Sequence, residues 1–157
     1  MQPFPFPRNL IDALESEDGG RRRAWIGSLP GIVKHLEQRW SLKAGEPFQP
    51  GGPTAWVAPA HIAAGSDLVL KVAWRHAEAA HEADGLRAWG GDSAARLHAT
   101  EKFDETIALL VERCVPGTPL SLLPEPSQDT VIVGLLQRLW RPPPPGHGFR
   151  PLQIMCD

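Results

Sequence analysis

Proline and glycine confine this chain to short elements. Many of the seventeen prolines and fifteen glycines fall in clusters: Pro3, Pro5 and Pro7, then Asp18-Gly19-Gly20, Gly51-Gly52-Pro53, Gly65-Ser66-Asp67, Gly90-Gly91, Pro116-Gly117-Thr118-Pro119 and Pro142 to Pro145. Proline lacks a backbone donor and glycine loses the most freedom on ordering, so each cluster marks a place where a helix or strand ends. The segments between them are sorted by their apolar period.

Arg8 to Glu17 reads as a short helix with Leu10, Ile11 and Leu14 on one side. Ser28 as a cap and Pro30 in the first turn predict the start of a second helix, on which Ile32, Leu36 and Trp40 follow at four-residue steps. From Gly45 to Ala73 the pattern is extended and predicts three antiparallel strands. In the last of them Leu68, Leu70 and Val72 share one face, and Val69, Lys71 and Ala73 the other. Arg75 to Trp89 returns to a helical pattern, with Ala79, Ala83 and Leu86 facing inward, and stops at Gly90-Gly91. Ala94 to Ala99 and Thr106 to Glu112 complete the strands. The expected fold is α+β: a five-stranded antiparallel sheet with one helix between strands 3 and 4, preceded by N-terminal helices.

Ser127 to Arg141 predicts an amphipathic helix whose stripe comprises Val131, Ile132, Leu135, Leu136, Leu139 and Trp140. A polyproline connector follows, and Pro151 to Asp157 reads as the opening of another helix. The domain division is 1–44, an N-terminal helical extension; 45–120, a sheet lobe; and 121–157, the exit from that lobe and the start of a helical one.

Composition narrows the function. The chain is 42% hydrophobic and 22% charged, with a formal net charge of -2 and a pI near 6.3. No broad basic field exists to hold a phosphate backbone, so no nucleic-acid partner is expected. The run Arg21-Arg22-Arg23 is offset by Glu15, Glu17 and Asp18 and reads as a solvated turn before a helix. Two cysteines, Cys114 and Cys156, make neither a disulfide framework nor a four-ligand metal site. His76 and His81 are five apart and do not share a helix face for a metal. The proline-broken N-terminus is unlike a signal peptide, and no stretch reaches the ~18 apolar residues of a membrane span. A cytoplasmic protein without a membrane partner is expected.

The residues suited to chemistry cluster in the sheet. Gly51 and Gly52 lie between the first two strands, where backbone N–H groups can approach phosphate oxygens, and Thr54 adds a hydroxyl. Alone, such a turn is more often an ordinary hairpin. Lys71 is a charge set in an apolar strand, Leu68-Val69-Leu70-Lys71-Val72. It stands where the kinase pattern Val-Ala-Ile-Lys places a phosphate-contacting lysine. Glu78 and Glu82, four apart in the next helix, share a face from which either can reach Lys71.

With these residues stand longer blocks: His81-Glu82-Ala83-Asp84-Gly85-Leu86-Arg87-Ala88-Trp89; Leu109 to Leu120, with Glu112-Arg113-Cys114-Val115-Pro116-Gly117; Leu139 to His147; and Phe149-Arg150-Pro151-Leu152. Together they resemble the aminoglycoside/hydroxyurea phosphotransferases over nearly the whole chain. The resemblance implies a protein-kinase-like fold, of which this sequence carries the N-terminal lobe and the first helical segment of a truncated C-terminal lobe. It implies that ATP and Mg2+ are used, with Lys71 on the α- and β-phosphates and Glu82 as its ion-pair partner. Glu112, Arg113 and Cys114 would form the hinge whose backbone meets adenine.

The acceptor implied is a hydroxyl of an aminoglycoside of the streptomycin type, or hydroxyurea, giving antibiotic resistance. The aspartates and asparagine of such a mechanism are not recognisable here; His147-Gly148-Phe149 is no catalytic loop. No catalytic or metal-binding residue is therefore expected within this chain, which reads as an inactive part of a longer enzyme. The alternative is a non-catalytic nucleotide-binding or protein-interaction remnant of the fold. Either way, the apolar stripe of 127–141 is expected to drive self-association or to pack back onto the sheet lobe.

Overall fold

The computed structural model describes residues 3–15, 19–63, 65, 67–76, 79–151 and 153–156. Glu17, Asp18, Ser66 and Glu78, each of which carries part of the sequence reading, lie outside them. The elements are α1 (Arg8–Asp12), α2 (Gly19–Arg39), β1 (Leu42–Ala44), β2 (Ala55–Ile62), β3 (Asp67–Trp74), α3 (Glu82–Trp89), β4 (Leu97–Lys102), β5 (Thr106–Glu112), α4 (Glu125–Leu139) and α5 (Gln153–Cys156). Single 3-10 turns follow α1, precede α3 and precede α4. The strands form one five-stranded sheet in the order β1-β2-β3-β5-β4, every neighbouring pair antiparallel. This is the expected α+β topology, that of a kinase-like small lobe, with α3 between the third and fourth strands.

Strand alternation gives the sheet two unlike faces. Ala58, Ala60, Leu68, Leu70, Val72, Ala108 and Leu110 form one core with Leu10 of α1 and with Trp25, Ile26, Leu29, Val33 and Leu36 of α2. The N-terminal helices and the sheet thus share a core. Trp25 satisfies its buried indole N–H by donating to the Thr106 hydroxyl at 3.0 Å. On the opposite face Ile107 and Leu109 meet Ala79 and Ala83, with Leu86, Leu97 and Val111 at the edge.

Several element bounds differ from the sequence reading. α2 starts long before Ser28 and runs through Pro30; Ser28 Oγ donates to the Trp25 carbonyl at 2.6 Å instead of capping a helix start. A proline in a helix interior costs ~3 kcal/mol. The five buried side chains of α2, from Trp25 to Leu36, each contribute roughly 1.5–3 kcal/mol by leaving water. Burial on both sides of Pro30 therefore outweighs its local cost. The three arginines consequently sit in the opening turns of α2 and not in a turn before it, with Arg21 and Arg23 exposed as expected. Arg21 pairs with Glu105 at 2.9 Å, and the Arg22 guanidinium lies 4.7 Å from the Trp74 ring centroid.

The first strand also moves. β1 pairs with the end of β2, Leu42 opposite Ile62, so it precedes Gly45, where the extended run was expected to begin. The stretch from Gly45 to Thr54 is a connection anchored by Gly45 N–H to Pro59 O and Phe48 N–H to Val57 O. β4 starts at Leu97 rather than Ala94. Among the described residues, the expected helix from Arg75 to Trp89 comprises a 3-10 turn at Ala79–His81 and α3. β5 has the expected bounds.

α4 opens at Glu125 with a proline in its first turn, a position where the missing N–H costs nothing. Much of its stripe is uncovered among the described residues: Val131, Ile132 and Leu136 are 41%, 42% and 54% exposed, while Leu135 and Leu139 are half-buried. The expected packing of this helix onto the sheet is not what the structure contains. No helix among the described residues is long and apolar enough to cross a membrane.

Candidate functional site

Lys71 sits at the middle of β3, in register with Val57 of β2 and Leu109 of β5. It occupies the face turned away from α2, which the strand alternation predicts. α3 crosses that face and begins at Glu82, an acidic residue at the positive end of the helix dipole. The Lys71 ammonium donates to Glu82 Oε1 at 2.6 Å, and the two side chains are 31% and 32% exposed. A charge-assisted bond of this length fixes the ammonium above the sheet instead of leaving it to snorkel. The carboxylate is supplied by the first turn of α3, so the position of the helix sets the position of the cation.

α3 is held at its other end too. Gly90 closes it in the left-handed conformation, φ 61°, as a helix-ending glycine commonly does. Trp89 folds back along its own helix: a Cβ on Gly85 would lie 3.4 Å from the ring. The Trp89 indole N–H donates to Leu139 O at 3.2 Å, and Arg141 donates to the carbonyls of Ala88 and Trp89 at 3.2 and 2.8 Å. A guanidinium at the negative end of a helix is favourable. These bonds bring the chain after α4 across the sheet, where Phe149 meets the His81 ring edge at 6.3 Å between centroids.

Between sheet, α3 and the proline run lies a cleft of about 980 Å³. Ala55, Val57 and Ala73 form its apolar wall, Lys71 and Glu82 its charged centre, and Gly52 and Thr54 one rim. Arg141 and Arg150 line the opposite side. An apolar wall beside a lysine held by a carboxylate, with two arginines opposite, suits an apolar ring carrying an anionic tail. Among the described residues no group of three or more His, Cys, Asp or Glu side chains is placed to hold a metal ion.

The structure therefore gathers Gly52, Thr54, Lys71 and Glu82. Gly51 faces elsewhere. Its φ is 73°, and a Cβ there would lie 2.5 Å from Pro7 Cβ, so it packs on the N-terminal segment and does not line the cleft. Glu112 ends β5 and Arg113 and Cys114 follow it, apart from the lining residues. The Glu112 N–H donates to Arg96 O at 2.8 Å and its carboxylate accepts the Arg96 N–H at 3.1 Å, which fastens the sheet edge. Cys114 is a free, exposed thiol. Trp89 and Arg141 were not foreseen as site residues. Their contacts span 50 and 52 or more positions, and no local pattern announces them.

A family model described as aminoglycoside/hydroxyurea antibiotic resistance kinase matches residues 39–157, more than half of the chain. The chain is 33% identical over 142 residues to streptomycin 6-kinase of Streptomyces griseus, covering 89% of the chain and 45% of that protein. It is 36% identical over 136 residues to hydroxyurea phosphotransferase of Kitasatospora aureofaciens, covering 85% of the chain and 39% of the relative. A streptomycin 6-kinase of Streptomyces glaucescens is 33% identical over 147 residues, 93% of the chain and 47% of the relative. The chain spans less than half the length of each of these relatives.

Proposed function

The chain belongs to the aminoglycoside/hydroxyurea antibiotic resistance kinase family, and on that premise we propose that it is the ATP-binding N-terminal part of a small-molecule phosphotransferase. The observation that carries this reading is the Lys71–Glu82 pair facing the cleft, 2.6 Å between ammonium and carboxylate. Phosphoryl transfer depends on holding a multiply charged tail still, and a lysine oriented by a helix carboxylate is a fixed point charge for it.

In this reading the ammonium of Lys71 meets the α- and β-phosphates, and Glu82 keeps it from turning to solvent. Gly52 and Thr54 offer peptide N–H groups and a hydroxyl to the same tail. The walls at Ala55, Val57 and Ala73 exclude water from one side of the ligand. The adenine edge is assigned to the backbone after β5. Because the Glu112 N–H is engaged by Arg96, that role falls to the peptide groups of Arg113 and Cys114. Bound Mg2+ would neutralise the phosphates, and its ligands are assigned to residues other than the described ones.

The acceptor assigned to the complete protein is a hydroxyl of a streptomycin-type aminoglycoside or of hydroxyurea, with antibiotic resistance as the outcome. This assignment rests on the names of the relatives. The proposed setting is the cytoplasm, where ATP is available. The uncovered stripe of α4 supports self-association of this chain through Val131, Ile132 and Leu136.

Isothermal titration of the chain with Mg-ATP tests the nucleotide assignment. Loss of a hydrogen bond to a charged group costs ~1.5–3 kcal/mol, so Lys71→Ala should weaken binding by roughly 10- to 100-fold. Glu82→Gln, which keeps the shape but not the charge, should weaken it less. Equal affinity for wild type and Lys71→Ala would leave the cleft without a nucleotide role and favour an interaction module.

A further inference from the structure

We infer that Asn9 is a positioning residue for the phosphate end of the cleft, acting through the Gly51–Gly52 peptide. The inference rests on the nucleotide reading above and extends it to a segment that precedes residues 39–157, the stretch matched by the family model.

Residues 4–9 lie as a strap along the connection between β1 and β2. The Trp56 indole N–H donates to Pro5 O at 2.9 Å, and Phe4 packs on the Trp56 ring at 5.4 Å between centroids. The Arg8 N–H donates to Gln49 Oε1 at 3.0 Å, while Gln49 Nε2 donates back to Phe6 O at 3.4 Å. Pro7 is fully buried and leaves room only for a hydrogen at Gly51. Asn9 then takes two adjacent carbonyls: its backbone N–H donates to Pro50 O at 3.0 Å, and its side-chain Nδ2 donates to Gly51 O at 2.8 Å.

On the far side of the turn, Arg22 donates to Pro53 O at 2.6 Å and the Trp74 N–H donates to Thr54 O at 2.8 Å. All four anchors thus end on carbonyl oxygens, those of Pro50, Gly51, Pro53 and Thr54. None of these contacts consumes the N–H of Gly51, Gly52 or Thr54. In a planar trans peptide the C=O of one residue and the N–H of the next point in opposite directions. The only cis peptides, among the described residues, precede Pro50 and Pro116. Fixing Gly51 O on Asn9 therefore aims the Gly52 N–H away from the strap. Fixing Pro53 O on Arg22 aims the Thr54 N–H in the same manner. Gly52 and Thr54 are the two residues of this turn that line the cleft with Lys71. Successive oriented N–H groups beside a lysine form an anion cradle. Without its carbonyl anchors, a turn containing two glycines has the freedom to rotate those donors out of line.

The test uses Asn9→Asp, which keeps the shape but replaces the donor with an acceptor, and Asn9→Ala. Arg22→Met removes the other anchor while keeping an apolar stem near Trp74. Each variant is titrated with Mg-ATP and with adenosine, and its melting temperature is measured. Loss of one anchoring bond should weaken Mg-ATP by about fivefold and leave adenosine unchanged. Amide exchange at residues 51–54 should be slowed by Mg-ATP in wild type and much less in Asn9→Asp. Mg-ATP affinity equal to wild type in all three variants would overturn the inference. So would parallel loss of both ligands together with a lower melting temperature, since that marks a purely structural strap. Lys71→Ala separates the two readings: if it binds Mg-ATP as wild type does, the nucleotide assignment fails; if it weakens while the Asn9 and Arg22 variants do not, only the positioning role fails.

Discussion

Gly51→Ala separates two costs that usually arrive together. An alanine there would have to adopt φ near 73° and place its Cβ 2.5 Å from Pro7 Cβ. The left-handed backbone costs an L-residue roughly 1–2 kcal/mol. The overlap is with a buried proline ring, which cannot swing aside, so the strap or the turn must shift; overpacking of this kind typically costs about 1–3 kcal/mol. The sum is about 2–5 kcal/mol. Gly65 supplies the control, because its φ is 80° and a Cβ there meets nothing within 4 Å. Gly65→Ala should therefore show the backbone cost alone, about 1–2 kcal/mol. Urea denaturation followed by tryptophan fluorescence measures both, and a cycle with Pro7→Gly isolates the contact. If Gly51→Ala and Gly65→Ala are equally destabilised, or if the cycle shows no coupling to Pro7, the strap does not press on this turn.

Two further outcomes are expected. Glu105 accepts hydrogen bonds from the Trp74 indole and from Arg21, which hold its carboxyl below its ordinary value of 4.5. A depressed carboxylate contributes stability above its unfolded pKa and loses it as pH falls through the folded one. The melting temperature of wild type should thus fall towards that of Glu105→Gln as the solution is acidified below the ordinary carboxylate value; a gap that stays constant across that window would contradict the assignment. Sedimentation over a concentration series should show mass-action association of the wild-type chain, abolished in Ile132→Glu/Leu136→Glu; a monomer at every concentration would mean that the stripe of α4 has no self-partner.

The parts of the fold legible in the sequence are those written by local period. β5 and the alternation of β3 followed from the strand period, because each buries one full face against a helix. Lys71 and Glu82 were legible for a related reason: a charge in an apolar strand, followed by a helix with acids on one face, restricts which groups can meet. Glu78, the other acid that the sequence offers to Lys71, lies outside the described residues. Pro30 misled, since a helix-start signal is local whereas the face from Trp25 to Leu36 is fixed by a sheet formed later in the chain. The pattern of Gly51 suggests a phosphate cradle, yet the Gly51 Cα faces Pro7, in the same network as the Asn9–Gly51 bond across 42 positions. The hinge reading of Glu112 likewise could not foresee Arg96, because a bond between a strand end and an irregular edge leaves no periodic trace.

Alternation ties both faces of β3 to a single register. Leu68, Leu70 and Val72 answer to burial, and Lys71, between them, to charge. Substitutions can disturb either set alone. Deleting a single residue from the turn before this strand cannot: a slip by one position rotates every side chain to the other side of the sheet. The ammonium would enter the hydrocarbon interior beneath α2 as leucines filled the cleft. Length in that hairpin is therefore under tighter control than identity, and indels there should abolish folding and ligand affinity at one stroke.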